Sequence, residues 1–377
     1  MKVKYGLVVF LLLLTFIIPA CKEGVQIYRL GAVLPLSGSM EAYGRNVKNG
    51  LLLALEEINA AGGIKRRGES EGKKIDIIFE DDGTDDNKAV EKAKSLIKTS
   101  KVPLIIGGVT SSTALALAPV CEAEKVVLLS PTASSPKLSG SGQYVFRNYP
   151  SDALEGKVMA EYAVRRMNVR NVAIFYIDNE YGQGLMNVFK DRFTNLGGTV
   201  QMEHAYPQSA SDFVAPVKEL KTKPPDAIYI IGYYTEIANI LKEISKQKVE
   251  SKIISVEGLV QPMVLETAAD VVEGVVYPQP HYNPESSDPK IQEFVAAYRK
   301  EFNTKPDIDA AFAYDALRIV AKAIEQSANY PTDLRDRIAD VSMRGIIGDI
   351  SFDSNGDVDI RPEIFQIKGG KFVPVAK

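Results

Sequence analysis

Seven apolar, strand-like runs in this sequence end on residues suited to binding. Leu34 is followed by Pro35-Leu36-Ser37-Gly38, and Phe79 by Glu80-Asp81-Asp82-Gly83. Ile106 leads into Gly107-Gly108-Val109-Thr110-Ser111, and Leu129 into Ser130-Pro131-Thr132-Ala133-Ser134. In the second half, Ile177 leads to Asp178-Asn179-Glu180-Tyr181-Gly182, Ile231 to Gly232-Tyr233-Tyr234, and Val256 to Glu257-Gly258. The first set offers hydroxyls and free backbone N–H groups. Ser111 precedes a helical stretch and can serve as its N-cap, and a helix N-terminus carrying hydroxyls is a natural carboxylate site. The second set offers two tyrosines and an acid. A carboxylate at Glu257 suits an ammonium group through a charge-assisted hydrogen bond. Together the two sets could hold a zwitterion. On these residues alone, capping hydroxyls and a solvated turn at Glu257 explain the pattern equally well.

These ends must be positioned by the elements that precede them. Residues 27–132 alternate apolar runs (Leu30–Leu36, Ile75–Phe79, Leu104–Ile106, Val126–Leu129) with segments of helical period (Val47–Ile58, Ala89–Ile97, Ala114–Glu122). Short, almost wholly apolar strands separated by helices predict a parallel sheet covered on both faces. The alternation restarts with helix Val158–Arg166, strand Val172–Ile177, helix Gly184–Leu196 and strand Thr199–His204. It runs on through helix Phe213–Leu220, strand Ala227–Ile231, helix Ile237–Ser245 and strand Ile253–Val256, which predicts a second parallel sheet. The tail holds helical patterns at Ile291–Phe302, Ala310–Gln326 and Leu334–Val341. A hairpin-like end follows, with Ile350–Phe352 and Ile364–Ile367 on either side of an Asp353–Asp357 turn. In open parallel sheets ligands bind beyond the carboxyl ends of the strands, so the binding residues above would face a cleft.

Composition excludes several classes. The chain has 377 residues, a prior of two or three domains. Its formal charge is −3, unlike the basic balance of most nucleic-acid binders, and no nucleic-acid partner is expected. With two cysteines and two histidines (His204, His281), no cysteine-rich zinc site and no histidine-based triad is expected. Neither a cofactor nor a metal is expected. Gly182-x-Gly184 follows a strand, but position 187 is Asn, so the third glycine of a dinucleotide fingerprint is missing. The acidic Asp81–Asp86 stretch lacks the ligand order of an EF-hand loop and reads as a strand-to-helix turn. Cys121 lies in an apolar helical pattern and reads as a small buried hydrophobe.

The first twenty residues read as an export signal. Lys2 and Lys4 precede an apolar run from Leu7 to Ile18, too short for a spanning helix of ~20 residues, and the run ends at Pro19-Ala20-Cys21. Cys21 at that place resembles the lipidated cysteine of a bacterial lipoprotein. The expectation is a periplasmic or cell-surface protein, anchored to a bacterial membrane through lipid at Cys21.

The sequence resembles the type I periplasmic solute-binding proteins, in particular the leucine/isoleucine/valine-binding receptors of ABC transporters. The resemblance runs from about residue 27 to 375. It is carried by Leu34-Pro35-Leu36-Ser37-Gly38 with Tyr43-Gly44, Glu56-Glu57-Ile58-Asn59 with Gly62-Gly63-Ile64, and Glu80-Asp81-Asp82. Further on it is carried by Ile105-Ile106-Gly107, Ser111-Ser112-Thr113, Ser130 to Ser134, Tyr181 to Gly184, Gly232-Tyr233 and Glu257-Gly258. Each piece is weak alone, whereas their order and spacing are specific.

The resemblance implies an α/β fold of two lobes, each a parallel sheet with helices on both faces, joined by a three-strand hinge. One lobe would take residues 26–150 plus 279–361, the other 151–278 plus 362–377. It implies that Ser111 holds a ligand carboxylate, that the Thr132 carbonyl accepts from its ammonium, and that Ser134 serves both groups. Glu257 would pair with the ammonium, and Tyr181 and Tyr233 would close over the ligand. Tyr43, Val109, Thr110 and Tyr314 are expected at the side-chain pocket or its rim. Some members join two loops by a disulfide whose matching positions here are Thr84 and Thr110, so that bridge is absent. The expected partners are an amino-acid ligand, with a branched or otherwise apolar side chain, and an inner-membrane ABC permease. The protein would be a monomer that binds by hinge closure near 147–151 and 278–281 and performs no chemistry. A receptor or sensor for amides, urea or aromatic acids is the alternative. Those solutes lack an ammonium group and would leave a buried Glu257 unpaired.

Overall fold

The computed structural model describes residues 27–260, 264–265, 268–280 and 282–375. The expected leader, Cys21 and His281 of the expected hinge lie outside the described residues.

Two sheets organise the chain. The first contains β1 (Tyr28–Leu34), β2 (Ile75–Asp81), β3 (Leu104–Gly107), β4 (Val127–Ser130) and β5 (Val145–Arg147), all parallel, in the order β2-β1-β3-β4-β5. Alternation along β1 explains its two covered faces. Leu30, Ala32 and Leu34 join one core, while Val33 joins another with Leu96, Leu117 and Cys121. The first core is completed from far along the chain by Phe294 and Tyr298 of helix Pro289–Phe302 and by Phe312 and Leu317 of helix Ile308–Gln326. The tail helices, whose packing periodicity leaves open, therefore cover the first sheet.

The second sheet contains β6 (Asn171–Ile177), β7 (Thr199–Tyr206), β8 (Ala227–Ile231), β9 (Lys252–Ile254) and β10 (Val276–Gln279), all parallel. After a small antiparallel pair, β11 (Ser342–Arg344) with β12 (Asp349–Ser351), the chain returns to this sheet as β13 (Glu363–Lys368) and β14 (Lys371–Pro374). The order is β14-β13-β10-β9-β8-β6-β7, with β13 and β14 antiparallel to their neighbours.

The fold is thus the expected two-lobed α/β arrangement, with three differences in detail. The second sheet is mainly rather than wholly parallel. Ile350–Phe352 and Ile364–Ile367 do not pair with one another: β12 pairs with β11, and β13 reaches β10. Strands β5, β10, β11 and β14 have no counterpart in the sequence patterning, because runs of three or four residues containing Arg147, Gln279 or Lys371 show no apolar period. The Asp353–Asp357 segment is a turn as expected: Asp353 Oδ1 accepts from the N–H groups of Asn355 and Asp357. Cys121 is buried. Among the described residues no helix is long and apolar enough to cross a membrane.

Candidate functional site

Both sheets reverse their strand order beside their first strand. The first does so where β1 lies between β2 and β3, the second where β6 lies between β7 and β8. Ligands of open α/β sheets bind at such switch points, beyond the strand carboxyl ends. The loops leaving β3 and β4 and those leaving β6, β8 and β9 converge there on one cavity, with about 60 Å³ open to the centres of water molecules. That figure counts only where the centre of a water can lie, and the space suits a compact small solute.

The first wall is built from hydrogen bonds. Gly108, at φ +69°, turns the chain after β3, and a side chain there would strike Ala114. Helix α3 (Ser111–Glu124) then begins. Its N-cap is Thr110, whose hydroxyl accepts from Thr113 N–H, and not Ser111 as the sequence predicts. The shift by one residue leaves the Ser111 hydroxyl free to act elsewhere. It accepts from the N–H groups of Ser134 at 3.3 Å and Ser135 at 3.1 Å, tying the loop after β4 to the start of α3. Thr132 donates its hydroxyl to the Val109 carbonyl at 2.7 Å. Ser134 donates to Asp152 Oδ2 at 2.9 Å. Val109, Ser111 and Ser134 are buried, while Thr110 and Thr132 are half-buried at the cavity edge.

The second wall is built from rings. Asn179 caps helix α5 (Glu180–Asn195) through the N–H groups of Tyr181 and Gly182, which sets Tyr181 at the helix start. Tyr181 stacks on Tyr233 with centroids 5.8 Å apart, and Asn179 Nδ2 donates to the Tyr233 hydroxyl at 3.3 Å. Gly232 lies against the Tyr206 hydroxyl and leaves no space for a side chain. Glu257 opens a short 3₁₀ turn, Glu257–Val260, just beyond β9. Tyr43, from helix α1 (Glu41–Ala60), spans the two walls: its ring meets Tyr233 at 5.9 Å and Tyr234 at 5.3 Å.

Nine of the ten expected site residues therefore line one cavity: Tyr43, Val109, Thr110, Ser111, Thr132, Ser134, Tyr181, Tyr233 and Glu257. Tyr314 does not. It sits one and a half turns into its helix, on the side facing α1. There its hydroxyl donates to Glu57 Oε2 and its ring packs on Phe294.

The structure adds residues that the strand-end argument misses, namely Met40, Tyr149, Asp152, Glu155 and Asp309. Asp152 and Glu155 lie in the first turn of helix α4 (Asp152–Arg165), and Asp309 in the first turn of Ile308–Gln326. All three follow helix N-caps, Ser151 and Asp307, rather than strands. The sequence signal that could find them is an acid within four residues of such a cap.

Four carboxylates thus meet in the cavity. Burial is the main cause of a common upward shift. It pushes Asp152 up to about 7, with the Ser134 hydroxyl and the Arg147 charge pulling the other way. Burial, together with the charges of Asp307 and Asp152, pushes Glu257 up to about 7. Glu155 is raised well above the usual carboxylate range by burial and then by Asp152 and Glu257, and Asp309 by burial and then by Asp307 and Glu257. Arg147 is committed elsewhere. It binds both oxygens of Asp357 at 2.7 and 3.0 Å, the Ser135 carbonyl and the Ser139 hydroxyl.

A two-lobed α/β protein with polar groups from both sheets around one small cavity is built to enclose a solute, and comparison with known proteins agrees. The family model described as periplasmic binding protein matches residues 27–371, and the chain belongs to that family. It is a solute-binding protein and not an enzyme. It is similar to the leucine-, isoleucine-, valine-, threonine- and alanine-binding protein of Pseudomonas aeruginosa, at 24% identity over 86% of this chain and 85% of the relative. Among solved structures, a leucine-binding protein of Thermotoga maritima superposes with a TM-score of 0.84 at 28% identity, covering 92% of this chain and 97% of the other. The branched-chain amino acid transporter substrate-binding protein of Streptococcus pneumoniae, in complex with isoleucine, superposes at 0.83 with 26% identity, covering 93% and 99%.

Proposed function

We propose that this protein is the extracytoplasmic receptor of an ABC importer and that it takes an α-amino acid into the cavity between its walls. The observation that carries the reading is the meeting of Ser111, Thr132 and Ser134 with Tyr181, Tyr233 and Glu257 around one cavity. The α-carboxylate would lie at the start of α3, where the helix N-terminus favours an anion and the hydroxyls of Thr110 and Ser111 are near. The α-ammonium would lie between the Thr132 carbonyl, Ser134 and Glu257. Tyr43, Val109 and Tyr149 supply an aliphatic-friendly wall for the side chain, which supports a branched or otherwise apolar stem. The relatives' printed ligands, leucine and isoleucine among them, point the same way.

Binding would proceed by lobe closure. The lobes are 26–150 plus 279–361 and 151–278 plus 362–377, and the hinge lies near 147–151 and 278–281. Closure adds Tyr181, Tyr233 and Glu257 to a ligand already seated on the first wall, so ligand contacts favour the closed state. An inner-membrane permease would receive the closed form. Cleavage after Ala20 and lipidation of Cys21 would keep the receptor at the membrane. Replacing Cys21 by Ser should move the protein out of the membrane fraction, and retention there would refute the anchor.

The function itself is tested by thermal shift and calorimetry on protein freed of bound solute by reversible unfolding. A ligand at ~100 times its dissociation constant adds ~2.7 kcal/mol of stability. Stabilisation by one or more L-amino acids is the expected result. Stabilisation only by amides, urea or aromatic acids would keep the fold and remove the zwitterion reading.

A further inference from the structure

The cavity gathers more carboxyl groups than a neutral amino acid can pair. Asp152, Glu155, Glu257 and Asp309 all line it, and no lysine, arginine or histidine does so among the described residues. Arg147, whose charge reaches Asp152, spends its donors on Asp357, Ser135 and Ser139. An amino acid with an uncharged side chain brings an ammonium and a carboxylate, hence no net charge. Its one ammonium satisfies Glu257 with the loop after β4, and Ser134 already donates to Asp152. That leaves Glu155 and Asp309. Asp309 is 3% exposed, and its Oδ2 meets no hydrogen-bond partner among the described residues. A buried carboxylate oxygen without a donor is costly unless a partner arrives with the ligand. The helix N-termini that carry Asp152, Glu155 and Asp309 offset part of the charge but donate nothing to that oxygen.

We infer that the solute carries a second cationic group, so that the cleft selects a small basic amino acid, an α-amino acid whose short aliphatic side chain ends in an ammonium. This rests on the amino-acid reading above and changes only the far end of the side chain. Tyr43, Val109 and Tyr149 would flank the methylene stem, and Asp309 with Glu155 would receive the terminal cation. The small cavity favours a stem of two or three methylenes over a long one. Burial, and then the neighbouring acids, raise the ionisation of Glu155 and Asp309, a shift that a cation seated between them would oppose.

The test uses isosteric pairs. Calorimetry on the intact mature chain compares L-2,4-diaminobutyrate with L-norvaline, and L-ornithine with L-norleucine; leucine, putrescine and benzoate are run beside them. The expected result is at least tenfold tighter binding of the diamino acid in one or both pairs. Asp309→Asn or Glu155→Gln should shrink that preference, the readout being the ratio of the two affinities within each pair measured on the same variant. Equal or tighter binding of norvaline, norleucine or leucine would overturn the second cation and leave the amino-acid reading standing. Binding of putrescine or benzoate without any amino acid would overturn the amino-acid reading itself. The wild-type comparison decides the matter even if a variant fails to fold.

Discussion

The two walls of the cleft are made by different physics. The first is a closed set of hydrogen bonds: the Ser111 hydroxyl accepts from two N–H groups, Ser130 donates to the Gly108 carbonyl at 2.8 Å, and Thr132 donates to Val109. Its geometry is in place before any solute arrives. The second consists mainly of ring contacts, with the Asn179 cap that sets Tyr181, one 3.3 Å hydrogen bond from Asn179 to the Tyr233 hydroxyl, and an acid on a short 3₁₀ turn. Ring contacts are less directional than hydrogen bonds, so this wall can meet and leave the ligand at lower cost. A preformed platform and an adaptable cover are what a hinged receptor requires, since only one side need recognise the solute in the open state.

The difference can be broken from either side. Glu257→Gln should give the largest effect, a loss of roughly 1.5–3 kcal/mol of ligand affinity, about tenfold to more than a hundredfold, with the ligand-free melting temperature unchanged or raised. Calorimetry and a melting curve on the same variant check both halves. Ser111→Ala should instead lower both affinity and stability, the latter by about 1–3 kcal/mol, because two N–H groups of the next loop lose their acceptor. An unchanged melting temperature would show that the first wall is not preassembled in solution.

A smaller effect, a few degrees in melting temperature, should follow pH. Asp152 and Glu257 ionise at about 7 in the folded chain, against ordinary values of 3.8 and 4.5. Below about 4 they are protonated in both the folded and the unfolded states, and the folded state keeps its full advantage. As pH rises through 7 the folded cavity must hold charges that the unfolded chain accommodates freely, so the ligand-free protein should lose stability between about pH 4 and 8. A melting profile that climbs over this range would contradict the cluster. The smallest effect is expected from Tyr233→Phe, under about 1 kcal/mol of affinity, since among the described residues its hydroxyl serves one long bond, with Asn179.

The contrast between the walls also marks what was legible in the sequence. Gly, Ser and Thr at strand ends announce themselves, because apolar runs such as Leu104–Ile106 stop abruptly where they begin. Tyr181, Tyr233 and Glu257 follow strands in the same way. Asp152, Glu155 and Asp309 do not: they start helices that come back to the cleft from other parts of the chain, and only three-dimensional proximity joins them. Tyr314 shows the converse. Its type and neighbourhood suit a pocket, but the phase of its helix turns it toward Glu57. The Thr110 cap was missed by one residue because Ser and Thr cap equally well and adjacent hydroxyls give no register. Strands β5 and β10 were missed for lack of length, and the apparent hairpin at the end failed because β13 pairs with a strand more than eighty residues earlier.

Arg147 ends the last strand of the first sheet, yet its carboxylate partner Asp357 lies 210 residues away. The edge of that sheet therefore remains unfinished while the chain between them is being made and moved. Strands β6 to β10 run consecutively and need no such wait. A nascent or translocating chain can complete most of its second half first, and the half that carries the hydroxyl wall closes only when the final segment arrives. A chain truncated shortly before Asp357 would keep a buried guanidinium with no counter-ion. Quality control acting on such a fragment would find the defect at the open edge of the first sheet, beside β5.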